Sequence, residues 1–260
     1  MSSVSAFQAP QVSAAPELAV VIPVHNEAEN IGKLLQEVCT ALRGRVVFEI
    51  VVVDDHSSDA TPDVLRQSAA EIPELRPLRH RHNAGQSMAV LSGVKAARAG
   101  WIATLDGDGQ NDPADLPALW NSIRAEVDGG TMLLLAGHRT QRKDSWVKRR
   151  SSRIANRVRA ALLKDSTPDT GCGLKMLSRN LFLELPAFDH MHRFLPALVL
   201  RHGGRVRSVP VNHRPRQGGS SHYGTWGRLR AGLIDMLGVI WLQRRWRNAG
   251  GVRSLLEKDS

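Results

Sequence analysis

Apolar runs and polar turns alternate along the first 110 residues with the spacing of strands followed by helices. Leu18 to Ile22 is apolar and rich in β-branched side chains, and Pro23-Val24-His25-Asn26-Glu27 then opens a pattern with Ile31, Leu34, Leu35 and Val38 at helical spacing. A second apolar run, Val46 to Val53, ends in Asp54-Asp55-His56-Ser57-Ser58-Asp59, with Pro62 placed for the first turn of a helix. Asn83-Ala84-Gly85-Gln86-Ser87 precedes a helical run from Met88 to Ala99. Trp101 to Leu105 reads as a short buried strand that the Gly, Asn, Asp and Pro of the next eight residues end in a turn. The alternation predicts an α/β domain in which three strand ends and the loop after Leu105 converge on one edge of a sheet, where open α/β folds place ligands.

That loop carries the candidate chemistry. Leu105-Asp106-Gly107-Asp108-Gly109-Gln110-Asn111-Asp112-Pro113 sets two carboxylates one residue apart. An isolated Asp-x-Asp is most often a polar turn, but at a strand end beside three further polar strand ends it is a metal-site candidate. Hard oxygen ligands in that number suit Mg2+ or Mn2+, which are usually held by one or two carboxylates together with substrate phosphates. A nucleotide diphosphate fits as the third party.

The blocks Val21-Ile22-Pro23-Val24-His25-Asn26-Glu27, Val52-Val53-Asp54-Asp55-His56-Ser57-Ser58-Asp59 and Leu105-Asp106-Gly107-Asp108-Gly109-Gln110 together resemble the signature of family 2 glycosyltransferases. The likeness runs over roughly residues 18–224 and is nearest to the polyprenyl-phosphate, dolichol-phosphate mannosyltransferase-like branch. It implies a GT-A (nucleotide-diphospho-sugar transferase) fold, with a single Rossmann-like mixed sheet flanked by helices. It also implies an inverting transfer from a nucleotide sugar with a divalent metal. Two later blocks extend the resemblance. Asp169-Thr170-Gly171-Cys172-Gly173-Leu174-Lys175 is similar to the family's Asp-x-x-Ser-Gly-Phe-Arg, with Cys172 in place of the small hydroxyl residue and Lys175 in place of Arg. Arg216, Gly219 and Ser221 match an Arg-x-x-Gly-x-Ser-Lys-Tyr loop in which His222 replaces Lys.

Charge is unevenly spread over the 260 residues. The first 130 hold 10 Lys and Arg against 17 Asp and Glu, or −7, and the second 130 hold 25 against 8, or +17. The acidic half contains the metal loop, and the basic half should meet an anionic partner. Basic residues gather at 138–143 and 148–153, where Arg supplies forked donors for phosphates. Cys39 and Cys172 have neither disulfide-framework nor metal spacing and read as packing residues of a reducing, cytosolic compartment. Residues 1–16 are rich in Ser, Ala, Gln and Pro and read as a disordered arm, leaving a catalytic domain over 17–224.

From Trp226 to Arg247 apolar residues recur at helical spacing, but the longest uninterrupted apolar run, Met236 to Leu242, is far below the ~18 residues of a spanning helix. Residues 225–247 are expected to form a C-terminal amphipathic helix lying on a membrane surface or docking on a membrane-embedded partner protein, with a tail at 248–260. In the interfacial arrangement Leu229, Leu233, Leu237, Ile240 and Trp241 enter the acyl boundary, with arginines at the headgroups. The expected location is cytoplasmic, peripheral on the cytoplasmic face of the membrane.

The acceptor follows from where carboxylates are scarce. A sugar hydroxyl needs a general base, normally a carboxylate or His. Residues 131–224 offer only Asp144, Asp165, Asp169, Glu184 and Asp189, and no Glu-Asp pair. A polyprenyl phosphate is already anionic and needs none. The expected roles are then Asp106, Asp108 and Arg216 in catalysis, with Asp106, Asp108 and Gln110 on the metal. Pro23, Asn26, Glu27, Asp54, Asp55, Asn83, Gly85, Asp106, Gly219 and Ser221 form the donor site, and Arg139 and Arg153 contact the acceptor phosphate. The rival readings are transfer to a sugar hydroxyl of a glycan or glycolipid, and a nucleotidyltransferase, although Ile22 to Glu27 lacks a glycine-rich phosphate loop. Nucleic acid is not an expected partner, since aromatic residues are only 5% of the chain and leave few stacking platforms.

Overall fold

A computed structural model describes residues 15–126, 132–139, 167–215 and 225–245, with Ala160, Leu162, Leu163 and Asp165. Strand β1 (Leu18–Val24) is buried at every position, as expected of a parallel strand covered on both faces. It leads into α1 (Ala28–Leu42), and β2 (Phe48–Asp54) into α2 (Thr61–Glu71). The third unit is β3 (Leu75–Arg79) with α3 (Gln86–Ala96), and the fourth is β4 (Trp101–Thr104) with α4 (Leu116–Glu126). Strands β5 (Leu133–Arg139), β6 (Lys175–Ser178) and β7 (Arg205–Val211) complete the sheet. Helices α5 (Arg179–Glu184), α6 (Leu195–Arg201) and α7 (Thr225–Arg245) complete the helical layers.

The seven strands lie in the order β3-β2-β1-β4-β6-β5-β7. All pairs are parallel except those of β6, which runs antiparallel to both β4 and β5. The reversal has a consequence for the site. Because Thr104 at the end of β4 pairs with Lys175 at the start of β6, the residues before Lys175 are delivered to the same sheet edge as the loop after Thr104.

Alternation along the strands divides the core. Leu18, Val20 and Ile22 of β1 face α1, α2 and α4, whereas Ala19 and Val21 face α3, α5, α6 and α7. On α1 the buried Ile31, Leu34, Leu35, Val38 and Leu42 make the stripe read from the sequence, each worth about 1.5–3 kcal/mol when fully buried. Pro77 lies in β3, an edge strand, where the lost N–H donor is tolerated.

The expected arm falls mostly on residues 1–14, outside the described residues. A helix is present at the C-terminal end, and Leu233, Ile234, Leu237 and Trp241 are exposed on it. Ile240 is a correction. It packs with Met236, Leu242 and the buried Val239 against the core instead of joining the outward stripe. The side chain of Leu229 is outside the described residues. Among the described residues no helix is long and apolar enough to cross a membrane. Cys39 and Cys172 are free and buried, as packing residues should be.

One buried carboxylate fastens the parallel half. Glu49, 3% exposed in its side chain, accepts from Arg98 N and Ala99 N at 2.5 and 3.0 Å and from Arg76 Nη1 at 2.7 Å. Burial opposes its charge, yet these donors outweigh it and hold the carboxyl below its usual range. Removing it strands the buried Ala99 N–H, the half-buried Arg98 N–H and the Arg76 guanidinium, so Glu49→Ala should cost about 3 kcal/mol of stability in urea unfolding. A loss within experimental error of zero would show that these bonds contribute nothing net.

Candidate active site

The carboxyl ends of β1, β2 and β4 and the start of β6 meet around the Asp106-Gly107-Asp108 loop. Gly107 is required by close approach, since a Cβ there would stand 2.6 Å from Val24 Cγ1 and 3.0 Å from Pro23 O. The loop is thus pressed against the end of β1. Asp106 Oδ1 accepts from Gln86 Nε2 at 2.8 Å, and its backbone N–H points to Asn111 Oδ1 at 3.4 Å. Asp108 Oδ1 accepts from Gln110 N at 3.1 Å, which folds the loop back on itself.

Behind Asp106 lies the block that begins β6. Thr104 Oγ1 donates to Gly173 O at 2.6 Å, locking that backbone onto the end of β4. A Cβ at Gly173 would fall 2.1 Å from Asp106 Oδ2, so only glycine leaves room for the carboxylate. Lys175 is 3% exposed and donates from Nζ to Cys172 O. Burial pushes its ammonium below the ordinary lysine range, and the nearby Cys172, Asp106 and Asp169 oppose that shift. Cys172 fills the space between Gly137 and Asn111, whose Nδ2 donates to Sγ at 3.6 Å.

Burial is the largest influence on the Asp106 carboxyl and raises it to about 6, with the charge of Asp108 adding to the effect. Lys175, Arg139 and the Gln86 bond work in the other direction and do not cancel it. Two neighbouring carboxylates, one of them raised by burial and by the charge of the other, make a candidate site for a cation. The donor set is hard oxygen, as Mg2+ or Mn2+ requires, and two carboxylates leave coordination positions for phosphate oxygens. Among the described residues no group of three or more His, Cys, Asp or Glu gathers into a complete metal cage.

The other expected donor residues build the wall on the β1 and β2 side. Asp54 and Asp55 are 1% and 3% exposed. Asp54 Oδ1 accepts from Ser57 N at 2.9 Å, while Oδ2 lies 3.2 Å from Arg79 Nε without an N–H aimed at it. Asp55 accepts from His80 Nδ1 and from Ala84 N and Gly85 N, at 2.7, 2.8 and 2.7 Å. Both carboxylates hold loops in shape in this structure, and Asp54 Oδ2 is left without a hydrogen bond. Asn83 Nδ2 lies 3.3 Å from Asp55 O and from His25 Nδ1. Asn26, at φ 57°, accepts at Oδ1 from Ser58 N, and Glu27 accepts from Asn30 Nδ2. Pro23 closes the floor with Gln86, Thr104, Lys175 and His192.

Arg139 is also reassigned. Its guanidinium makes a two-point pair with Asp169, Nε to Oδ2 at 2.6 Å and Nη2 to Oδ1 at 2.7 Å, with the side chain only 14% exposed. It is an internal strut of the β6 block, not a cation held out for an acceptor. Arg153, Arg216, Gly219, Ser221 and His222 lie outside the described residues. Gln86 and His192 are not marked in the sequence, because a Gln at a helix start and a His in a short 3-10 turn carry no pattern of their own.

The family model described as glycosyl transferase family 2 matches residues 19–185. The chain belongs to glycosyl transferase family 2. A dodecaprenyl-phosphate galacturonate synthase of Rhizobium johnstonii is 33% identical over 234 residues, covering 88% of this chain and 68% of that protein. An undecaprenyl-phosphate 4-deoxy-4-formamido-L-arabinose transferase of Edwardsiella ictaluri is 33% identical over 213 residues, covering 80% and 63%. The chain thus spans about two thirds of the length of these relatives. Two solved glycosyltransferases show the same fold. Glucosyl-3-phosphoglycerate synthase from Mycobacterium tuberculosis, with Mn2+, UDP and glucosyl-3-phosphoglycerate, superposes with a TM-score of 0.65 at 18% identity over 92% of this chain and 83% of that one. A mannosyltransferase from Pyrobaculum calidifontis, with GDP-Man and Mn2+, gives 0.65 at 22% identity over 92% and 67%. The mixed sheet is the expected GT-A fold, and this family 2 chain carries its Asp-x-Asp loop at the ligand edge.

Two outcomes test the geometry. Gly173→Ala should displace the Asp106 carboxylate and reduce glycosyl transfer at least a hundredfold while the circular dichroism spectrum is kept, and near-normal turnover would show that Asp106 need not sit where it does. His192 is held neutral, at about 3, first by burial and then by Lys175 and Arg193. The unfolded chain therefore binds one more proton at this position between pH 6.5 and about 3. The stability this neutral His contributes is full above pH 6.5 and is lost as pH falls through that window. Its Nδ1 meets Ser87 Oγ at 2.7 Å, a contact that Asn can imitate. The stability gap between wild type and His192→Asn should narrow on acidification from pH 7 to 4, and a constant gap would refute the assignment.

Proposed function

We propose that this glycosyltransferase moves a sugar, with inversion, from a nucleotide-diphosphate sugar to a polyprenyl phosphate at a membrane surface. The observation that carries the proposal is the Asp106–Asp108 pair, in which one carboxyl is raised to about 6 and the other adds to the shift. Mg2+ or Mn2+, when bound, supplies neutralising charge to the departing diphosphate. Asp106, Asp108 and Gln110 would hold it, with Gly173 and Gln86 fixing where Asp106 points. The β1 and β2 wall, from Pro23 to Glu27 and through Asn83 and Gly85, would take the nucleoside. Arg216 with Gly219 and Ser221 would contact the diphosphate, and Arg153 the acceptor phosphate.

Carboxylates near the site support a phosphate acceptor over a hydroxyl one. Asp169 is engaged by Arg139, Glu184 by His202 at 2.8 Å, and Asp165 is fully buried. Asp189 is the more exposed member of the group, at 66% of its side chain, and lies 3.6 Å from His190 Nε2. An anionic phosphate oxygen attacks without losing a proton, so no general base has to be found. The names of the relatives, both polyprenyl-phosphate sugar transferases, point the same way.

Membrane placement belongs to this reading as well. Leu233, Ile234, Leu237 and Trp241 form an exposed apolar strip on α7, with Arg244 and Arg245 exposed in its last turn. Such a strip suits the headgroup–acyl boundary of an anionic leaflet at the cytoplasmic face, and a membrane-embedded protein is the alternative occupant.

A donor screen with radiolabelled nucleotide sugars, Mn2+ and undecaprenyl phosphate, followed by solvent extraction, tests the proposal. Label should move to the lipid phase with at least one donor, and Asp108→Asn should abolish the transfer without unfolding the chain. Full activity of that variant, or transfer to a soluble hydroxyl acceptor in preference to the lipid, would overturn it.

A further inference from the structure

The segment leaving β7 is bonded to the Asp-x-Asp loop residue by residue. Asn111 and His213 form an antiparallel bridge, and Arg214 N donates to Gln110 O at 2.9 Å. Asn212 donates from its backbone N and from Nδ2 to the two oxygens of Asp115, at 2.7 and 3.1 Å. Arg214 then reaches across the loop. Its Nη1 donates to Glu37 Oε2 on α1 at 2.6 Å, and its Nη2 to Asp112 Oδ1 at 2.7 Å. Asp112 Oδ1 also accepts from Ala114 N at 2.9 Å and so ends the loop at the helical turn before α4.

These contacts fix the loop at both ends. At the near end Asn111 Oδ1 receives the Asp106 N–H, and at the far end Asp112 is held through one guanidinium to Glu37 of α1. Asp108 lies between them and borders the same crevice as Glu37, Asn30 and Arg214. With Asp106 and Asp108 repelling each other, a loop held at one end alone would relax by moving Asp108 outward into water. A fork with its two donors on two different acids resists that movement, because any shift of the loop breaks a charge-assisted bond.

We infer that Arg214 is a positioning residue for the cation site, which bridges Glu37 and Asp112 and so holds Asp108 against Asp106 before ligand arrives. The inference rests on the reading that the Asp-x-Asp loop binds a divalent cation. Arg214 does not touch the cation in this scheme. It acts at one remove, through Asp112, which is not a ligand but ends the loop that carries the ligands; loss of a direct hydrogen-bond partner of a metal ligand typically weakens affinity roughly 10- to 100-fold, so the lower end of that range is expected here.

The test is Mn2+ binding by the full chain without substrate, read from the free-ion electron paramagnetic resonance signal, with urea midpoints measured alongside. Wild type should bind and Asp108→Asn should lose binding. Arg214→Met should weaken it about tenfold. Arg214→Lys should recover part of the loss, since one ammonium can bond one of the two acids. Glu37→Gln, a change on the surface of α1 that keeps the fold, should give a smaller loss, and combining it with Arg214→Met should add little, because both act through one bridge. Mn2+ binding by Arg214→Met equal to wild type, even with a lowered urea midpoint, would reduce Arg214 to a structural tie and overturn the inference. If Asp108→Asn binds as well as wild type, the cation reading itself fails, and this inference with it.

Discussion

Two neighbouring carboxylates at the end of a buried strand are the constraint around which the site of this domain is built. Asp106 is enclosed by Gly173 on one side and bonded by Gln86 on another, and burial with the charge of Asp108 raises its carboxyl to about 6. Left to itself such a pair would separate or take up a proton. The structure prevents separation by anchoring the loop through Asn111 and Asp112, and moderates the charge with Lys175 and Arg139 beneath it. What remains is a local excess of negative charge with geometry already set, which is the condition under which a divalent cation binds with little rearrangement.

The single reversed strand makes this possible. In an all-parallel sheet the residues before β6 would emerge at the opposite edge, some four residues away from Asp106. Because Thr104 is paired with Lys175 in an antiparallel register, the Gly171-Cys172-Gly173 turn arrives at the site instead. It brings the buried lysine and the Arg139–Asp169 pair with it. The acidic first half of the chain and the basic second half therefore meet at this seam, where Arg214 bonds Asp112 while Lys175 and Arg139 act on Asp106 through their charge.

Much of this was legible in the sequence, and the exceptions have physical causes. Strands β1, β2 and β4 and the helix α1 follow from runs and spacings that any buried α/β layer imposes, and the Asp-x-Asp loop stood out because turn-forming residues fix where a strand must end. The partners of each carboxylate did not follow. Whether Asp55 faces a ligand or its own backbone depends on Ala84 and Gly85, almost thirty residues away, and no local pattern records that fold-back. The family resemblance makes Arg139 an acceptor-phosphate contact. Its pairing with Asp169 required the register of β5 beside β6, which the sequence does not display. Ile240 was placed on the wrong face of α7 for a related reason. Helical periodicity identifies a stripe but not which side of it the neighbouring elements occupy, and here α6 and the sheet take the side that holds Val239.

Three aspartates at one sheet edge show why environment, and not residue type, selects the reactive member. Asp55 accepts from two backbone N–H groups and an imidazole, so its oxygens are consumed in holding the loop after β3. Asp54 receives one backbone N–H at Oδ1 and pairs by charge alone with the Arg79 guanidinium at Oδ2, and serves the loop after β2. Asp106 receives one side-chain amide at Oδ1, while its backbone, not its carboxylate, is tied to Asn111. Backbone donors are part of the fold and cannot be exchanged for a ligand without unfolding a loop, whereas the Gln86 amide is an exposed side chain that can turn aside. Of the three carboxylates, Asp106 is thus the one that can change partners at low cost, and the fold has supplied its neighbour Asp108 as the second half of the grip.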